Sequence, residues 1–543
     1  MRNWKRVAMV VVTCAVVGSM SAVAQGPPIK STTRLVQLSV VVTDKNGQPI
    51  TGLKKEEFTV LDEGKPQEIA FFAAGAPATK GQTLLPSNVF TNRFDLKGQE
   101  PGAVTVILFD ALNTPVQDQM YVRKQVLMFL QALKPGDHVA VFGLSGELVV
   151  LHDFTQDASA LVEAVSKFTP KELAMFDASN AGSMDIKGMT DNPKDWARLG
   201  ALGGQGLIVE TAADTRAEMT ARAFVAIAEH VAAVPGRKNL IWVSDGFPID
   251  LGPNGMKPGE SYIADLQQKA AKAMNRANMA VYPIYAGGLE VDGGRGPETS
   301  AAMAAESPAG GFFSRSATIA GLRILAAQTG GEAFYGSNDI REGMRRAFDD
   351  GRCAYAIAYY PSHGEWDSEY RKVKVQVKEA GVKLRYRTGY FAEPQRNSSE
   401  AQAMLDLQDA AASPLNATSL GMIVSGKRGE AGDRNIEVHV GLDPKQLALR
   451  HAEEHWNGGV TLYFVQKDAE GTTVAAESQK IGLSLEEKQY EYLSGAGLVL
   501  GRHVKIDSQA VELRVLVRDN NSQALGSVIV PVVAWLGSGK GVA

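Results

Sequence analysis

Cysteine is almost missing from this chain: two among 543 residues, Cys14 and Cys353. Cys14 falls in an N-terminal stretch with the character of a leader, so Cys353 alone remains and no intrachain disulfide is available, although export would permit one. Stability must come from packed cores. Lys/Arg-rich runs are missing too, and the net charge is −4. That disfavours a nucleic-acid partner, because a phosphate binder carries a basic surplus on its domain. No segment after the leader is apolar over the roughly 20 residues a membrane helix needs. Global disorder is excluded by composition, with 45% hydrophobic and 21% charged residues, values ordinary for globular chains. The length exceeds one core and allows roughly three or four domains.

What is present begins with three basic residues (Arg2, Lys5, Arg6), an apolar stretch from Val7 to Val17, and Ala22-Val23-Ala24 before Gln25. This is the pattern of a secretory signal with its small-residue cleavage site. The expectation is an exported protein, periplasmic or extracellular, whose signal occupies residues 1–24 and whose remainder spans no membrane. Cys353 lies in the strand-like run Cys353–Tyr360 and is expected to be an inert packed thiol.

The texture then changes several times. Residues 32–75 hold short β runs separated by the turns Asp44-Lys-Asn-Gly47 and Asp62-Glu-Gly64, predicting a small N-terminal β-domain. A Gly/Pro/Ala/Thr-rich linker is expected over 76–101. From 102 to 351 apolar strands (Val104–Phe109, Val139–Phe142, Asn239–Val243, Ala280–Tyr285) alternate with helices (Gln117–Leu133, Ala217–Val234, Ala264–Asn278, Ala317–Thr329, Asp339–Asp349). Fully apolar strands between helices imply a doubly wound α/β domain with a mainly parallel sheet covered on both faces. Residues 352–392 read as an antiparallel β extension, 393–415 as a second linker, and 416–543 as a β-sandwich-like domain. Two long irregular stretches, 170–206 and 287–311, interrupt the α/β region, and loops of that length are commonly functional.

Ligands of an open parallel sheet collect at the carboxyl ends of strands, where the strand order reverses. Asp110 ends one apolar strand and Asp245 another. Two carboxylates with the nearby hydroxyls of Thr114 and Ser244 make a hard-oxygen set suited to Mg²⁺, Mn²⁺ or Ca²⁺. The bland alternative is that such carboxylates only cap helices or order loops.

Asp110-Ala-Leu-Asn-Thr114 resembles the Asp-x-Ser-x-Ser motif of von Willebrand factor type A domains, and Arg237–Gly246 resembles that family's fourth core strand with its metal-site aspartate. Ala280–Tyr285, Leu325–Gly331 and Tyr386–Tyr390 are further similar to the von Willebrand A-related exported proteins abundant in acidobacteria, which commonly open with a segment like Val36–Phe72. The likeness covers roughly residues 34–392. It implies a Rossmann-like fold and a metal-ion-dependent adhesion site using Asp110, Asn113, Thr114, Thr215 (or Thr211) and Asp245, with Mg²⁺, Mn²⁺ or Ca²⁺ bound. Leu112 departs from the pattern, standing where the family has a serine and unable to ligate. The partner implied is a protein or cell-surface polymer whose acidic side chain completes the metal shell.

Catalytic patterns are thin. His451-Ala-Glu-Glu-His455 matches the H-x-x-E-H order of a zinc helix, but Trp456-Asn-Gly-Gly459 breaks any helix there. Gly143-Leu-Ser-Gly146 lacks the spacing of a nucleophile elbow, and Gly537-Ser-Gly-Lys540 lacks the helix a phosphate loop needs. His138, His152 and His230 are scattered on separate elements. The expectation is a non-enzymatic interaction or adhesion protein. An envelope scaffold with a vestigial site, or an envelope hydrolase, are the competing readings.

Overall fold

The computed structural model describes residues 35–74, 85–86, 88–96, 103–134, 136–170, 204–234, 236–245, 262–287, 315–363, 366–392, 399–428 and 434–536; for 204–214, 262–268 and 315–317 only the backbone is considered. The expected signal, Thr211's side chain, most of the two irregular stretches and the tail at Gly537–Lys540 lie outside these residues.

Strands β1 (Val36–Thr43), β2 (Phe58–Asp62), β3 (Lys65–Gln67) and β4 (Ile69–Ala74) open the described chain, followed by β5 (Val89–Thr91). The α/β domain comprises β6 (Ala103–Asp110), α1 (Val116–Leu130), β7 (Val139–Leu144), β8 (Leu148–Thr155), α2 (Ala158–Lys167), α3 (Gly204–Val231), β9 (Arg237–Ser244), α4 (Tyr262–Arg276), β10 (Met279–Tyr285), α5 (Arg315–Thr329) and α6 (Ile340–Arg352). Its sheet runs β10-β9-β6-β7-β8, parallel except that β8 returns antiparallel on β7. Side chains alternate along each strand and feed two cores. Val104, Val106 and Leu108 pack under α3, α4 and α5, whereas Ile107 and Phe109 pack under α1, α2 and α6. Burial on both faces explains why the strands carry no polar alternation, and the doubly wound expectation is met.

The expected N-terminal β-domain and β extension are one unit, a correction to the separate boundaries 32–75 and 352–392. Here β11 (Tyr355–Tyr359) inserts between β1 and β4, β12 (Tyr370–Val377) pairs with β2, β13 (Lys383–Arg385) with β1, and β14 (Gly389–Phe391) with β12. The two four-stranded sheets share a core of Leu38, Val40, Val60, Tyr355, Tyr359 and Val373. Buried Asp62 accepts hydrogen bonds from Tyr359 Oη (2.9 Å) and Tyr390 Oη (2.8 Å), which stitches the two chain segments together. The turn at Asp44 is a plain hairpin turn, its Oδ1 accepting from the amides of Asn46 and Gln48.

Neither expected linker is only a linker. β5 lies inside 76–101 and pairs with β15 (Met422–Arg428), and α7 (Glu400–Ala412) lies inside 393–415. The sandwich adds β16 (Asn435–Leu442), β17 (Arg450–Ala452), β18 (His455–Lys467), β19 (Thr473–Glu486), α8 (Glu487–Ala496), β20 (Leu498–Lys505), β21 (Glu512–Asp519) and β22 (Leu525–Pro531). Its sheets, β20-β16-β15-β5 and β17-β18-β21-β22 with β19 on β18, enclose one core. Three residues of β5 are too few to show any periodicity in sequence, and the amphipathic face of α7 is narrow, burying only Leu407 and Ala411.

The sandwich is fastened to the α/β domain. Buried His230 on α3 places Nδ1 2.9 Å from Asn416 O and Nε2 2.9 Å from Asp153 Oδ1. Thr418 Oγ1 donates to His230 O (2.9 Å), and Lys269 of α4 pairs with Asp406 (3.1 Å) and Asp409 (2.9 Å) of α7. Among the described residues no helix is long and apolar enough to cross a membrane.

Candidate functional site at the strand ends

From β6 the chain proceeds to β7 on one side, and it later returns to place β9 on the other side. The carboxyl ends of β6 and β9 therefore flank the point where strand order reverses, which is where an open parallel sheet forms its crevice. Asp110 and Asp245 stand at those two ends. The two ends are linked by hydrogen bonds: Ser244 Oγ donates to Asp110 Oδ2 (2.8 Å), and the Asp245 amide donates to Thr114 Oγ1 (3.3 Å).

The loop after β6 is held from several directions. The amides of Ala111 and Leu112 both donate to Leu144 O at 2.9 Å. Gln119 Nε2, from the first turn of α1, donates to Ala111 O (3.0 Å) and Thr114 O (2.9 Å). Leu112 turns its side chain onto the core beneath α3, which is why an apolar residue is accepted in this position.

Asp110 is fully buried. Its Oδ2 accepts from Trp242 Nε1 (2.9 Å), Ser244 Oγ (2.8 Å) and Asn113 Nδ2 (2.8 Å), and its Oδ1 accepts from the Asn113 amide (2.9 Å). Burial pushes its carboxyl above the ordinary range, and those four donors oppose the rise. Trp242 is itself fixed by Phe224, ring edge to ring face at 5.1 Å. Asn113 Nδ2 also donates to Thr220 Oγ1 (2.9 Å) on α3. Asp245 packs over Gly287 beside Tyr285: a Cβ at position 287 would stand 2.4 Å from Asp245 Oδ1 and 2.6 Å from the Tyr285 hydroxyl.

Thr215 lies well inside α3, because that helix starts at Gly204 and not near residue 217. Thr220 is a hydroxyl of α3 that reaches the loop, through Asn113. Arg216, one helical turn before Thr220, is partly buried, and its guanidinium feels the field of Asp110. Burial lowers its pKa and Asp110 counteracts the fall.

Do these residues fit a divalent ion? Asp110 Oδ2 already accepts three donors, Asn113 faces it with an N–H₂ group rather than an oxygen, Leu112 points into the core, and a guanidinium stands nearby. A hard cation needs oxygen lone pairs free of protons and distant from positive charge. At Asp110 and Asn113 the arrangement does not fit the shell expected of Asp110, Asn113, Thr114, Thr215 and Asp245, because hydrogen bonds occupy the Asp110 lone pairs the ion would use. Periodicity could not have flagged Trp242, Thr220 or Arg216: the first reads as core, the others as helix.

The H-x-x-E-H segment is a hairpin. His451 lies on β17 and His455 on β18, joined by Glu453 and Glu454, both with positive φ. His451 lies tilted against Trp456 (4.9 Å) and sits 3.3 Å from Glu487, so the helical zinc geometry is not formed.

No family model matches the chain, and no curated protein matches it. Solved structures overlap it at low similarity. They include an aerotolerance-related membrane protein from Bacteroides fragilis (12% identity, 46% of this chain and 99% of that one, TM-score 0.25). They also include the pilus adhesin SpaC from Lactobacillus rhamnosus (9%, 89% and 58%, 0.27) and a von Willebrand factor type A protein from Catenulispora acidiphila (11%, 71% and 82%, 0.23). At these values the overlaps carry no argument about activity.

Proposed function

We propose that the chain is an exported, non-enzymatic interaction protein whose von Willebrand A-like α/β domain contacts a protein partner at the carboxyl ends of β6 and β9. The observation carrying this reading is the convergence of two strand ends, with their carboxylates and hydroxyls, at the crossover point of the sheet. The loop there is pinned by Gln119 and Leu144 before any partner arrives, and preorganisation of that kind reduces the ordering cost of binding. Ala111, Leu112 and Asn113 are only partly buried, so the locus is reachable.

A photo-crosslinking residue placed at Ala111, with Tyr492 on the sandwich as control position, tests the reading in the native cell. Adducts from position 111 and not from 492 are expected. Equal adducts from both positions, or none from 111, overturn it.

A further inference from the structure

We infer that Arg216, on the face of α3 that meets the loop after β6, is the seat for an acidic side chain of the protein partner; this rests on the strand-end reading above.

Arg216 and Thr220 are one turn apart on α3 and so share a face. That face is located by contact, since Thr220 Oγ1 accepts from Asn113 Nδ2 at 2.9 Å and donates to Arg216 O at 2.8 Å. Arg216 thus belongs to the face of α3 that meets the loop after β6, and the charge of Asp110 acts on its guanidinium. It is partly buried, and it has no hydrogen-bond or ion-pair acceptor among the described residues.

The neighbouring carboxylate does not serve it. Asp110 takes its four hydrogen bonds from Trp242, Ser244 and Asn113, and the pair interacts only through the field. A guanidinium stays protonated and presents five N–H donors in a planar fork that matches a carboxylate with two parallel bonds. None of the Arg216 nitrogens is a buried unpaired atom, so in the free chain those donors are open to water. An incoming carboxylate replaces that water with two charge-assisted hydrogen bonds.

The occupant follows from charge and shape. Asp110 and Asp245 stand close by, so a dianion is repelled more than a monoanion. The half-buried position favours a carboxylate on a slim, flexible arm, as in Glu or Asp, over one attached directly to a sugar ring.

Fluorescence anisotropy of labelled hexaglutamate with the full chain, in EDTA and at low ionic strength, tests the inference. Binding without metal is expected, weakened at least about tenfold in Arg216→Met. Arg216→Lys, which retains charge but loses the fork, should fall between the two, so the comparison survives if the methionine variant folds poorly. Equal binding by wild type and Arg216→Met, binding that requires Mg²⁺, no binding of hexaglutamate, or tighter binding of oligogalacturonate would each overturn it. Crosslinking from Ala111 that persists unchanged in Arg216→Met removes the guanidinium seat while leaving the strand-end contact standing.

Discussion

Trp242 and Lys238 show how much of this site depends on single buried groups. Trp242 supplies one of the four hydrogen bonds that hold Asp110. Trp242→Phe keeps most of the ring and deletes the N–H, and a hydrogen bond to a charged acceptor contributes roughly 1.5–3 kcal/mol. The urea midpoint should fall accordingly, with little change in the packing against Phe224. Lys238, on the same strand, is buried at the opposite end of the sheet, its Nζ 3.5 Å from Gly236 O. Burial pushes its ammonium down to about 8. Between about 8 and the ordinary lysine value the unfolded chain holds a proton that the folded chain has released. Stability therefore rises with pH across that window, and the charged form weighs against folding below it. Lys238→Met should raise the unfolding free energy measured in urea at pH 7 by on the order of 3 kcal/mol, an advantage that shrinks as pH climbs past 8. A constant difference from pH 7 to 10 would contradict this. Neither group was legible in advance: alternation along β9 assigns Trp242 to the core and says nothing of an indole N–H seeking a carboxylate.

Among elements, α7 is the clearest case of a helix that depends on a distant strand. Its last turn leaves carbonyls without intrahelical partners, and Arg514 of β21 supplies donors to Ala411 O (2.9 Å), Ser413 O and Leu415 O (2.8 Å). Arg514 is buried, and burial pushes its guanidinium down to about 10. Arg514→Met strands those carbonyls, at about 1 kcal/mol or more each. Hydrogen exchange should report loss of protection along 400–412 with the parallel sheet unaffected. The core strands of the α/β domain were readable because each is an unbroken apolar run: Val104–Phe109 was expected and Ala103–Asp110 is found. β8 and α2 were missed. β8 is only partly buried, Leu148–His152 being half exposed, and it neither alternates cleanly nor forms a fully apolar run.

At the scale of the whole molecule, what sequence could not reveal is pairing between remote segments. Val36 pairs with Tyr359, and Val60 with Val375; local pattern identifies strands and is silent on partners. The interlock predicts a specific failure. Deleting residues 35–74 uncovers Tyr355, Ile357, Tyr359 and Val373, and limited proteolysis should then cut within 355–391 while the β6–β10 sheet stays resistant. Resistance of both regions would show that the two halves do not depend on each other. The candidate site was legible as two strand-end carboxylates. Its hydrogen-bond closure and its arginine were not, because Trp242 and Ser244 come from β9 and Arg216 from α3, all more than a hundred residues downstream of Asp110.

The pairing of β1 with β11 also imposes an order of events. Val36 leaves the ribosome well before its partner Tyr359, a wait of roughly 15–65 s at ordinary synthesis rates. Throughout that interval an apolar strand has unpaired edges, and such edges are where chains stick to one another. Folding of the first segment is thus a late step, and any factor that shields nascent apolar strands should determine the yield of this protein more than the stability of its finished domains does.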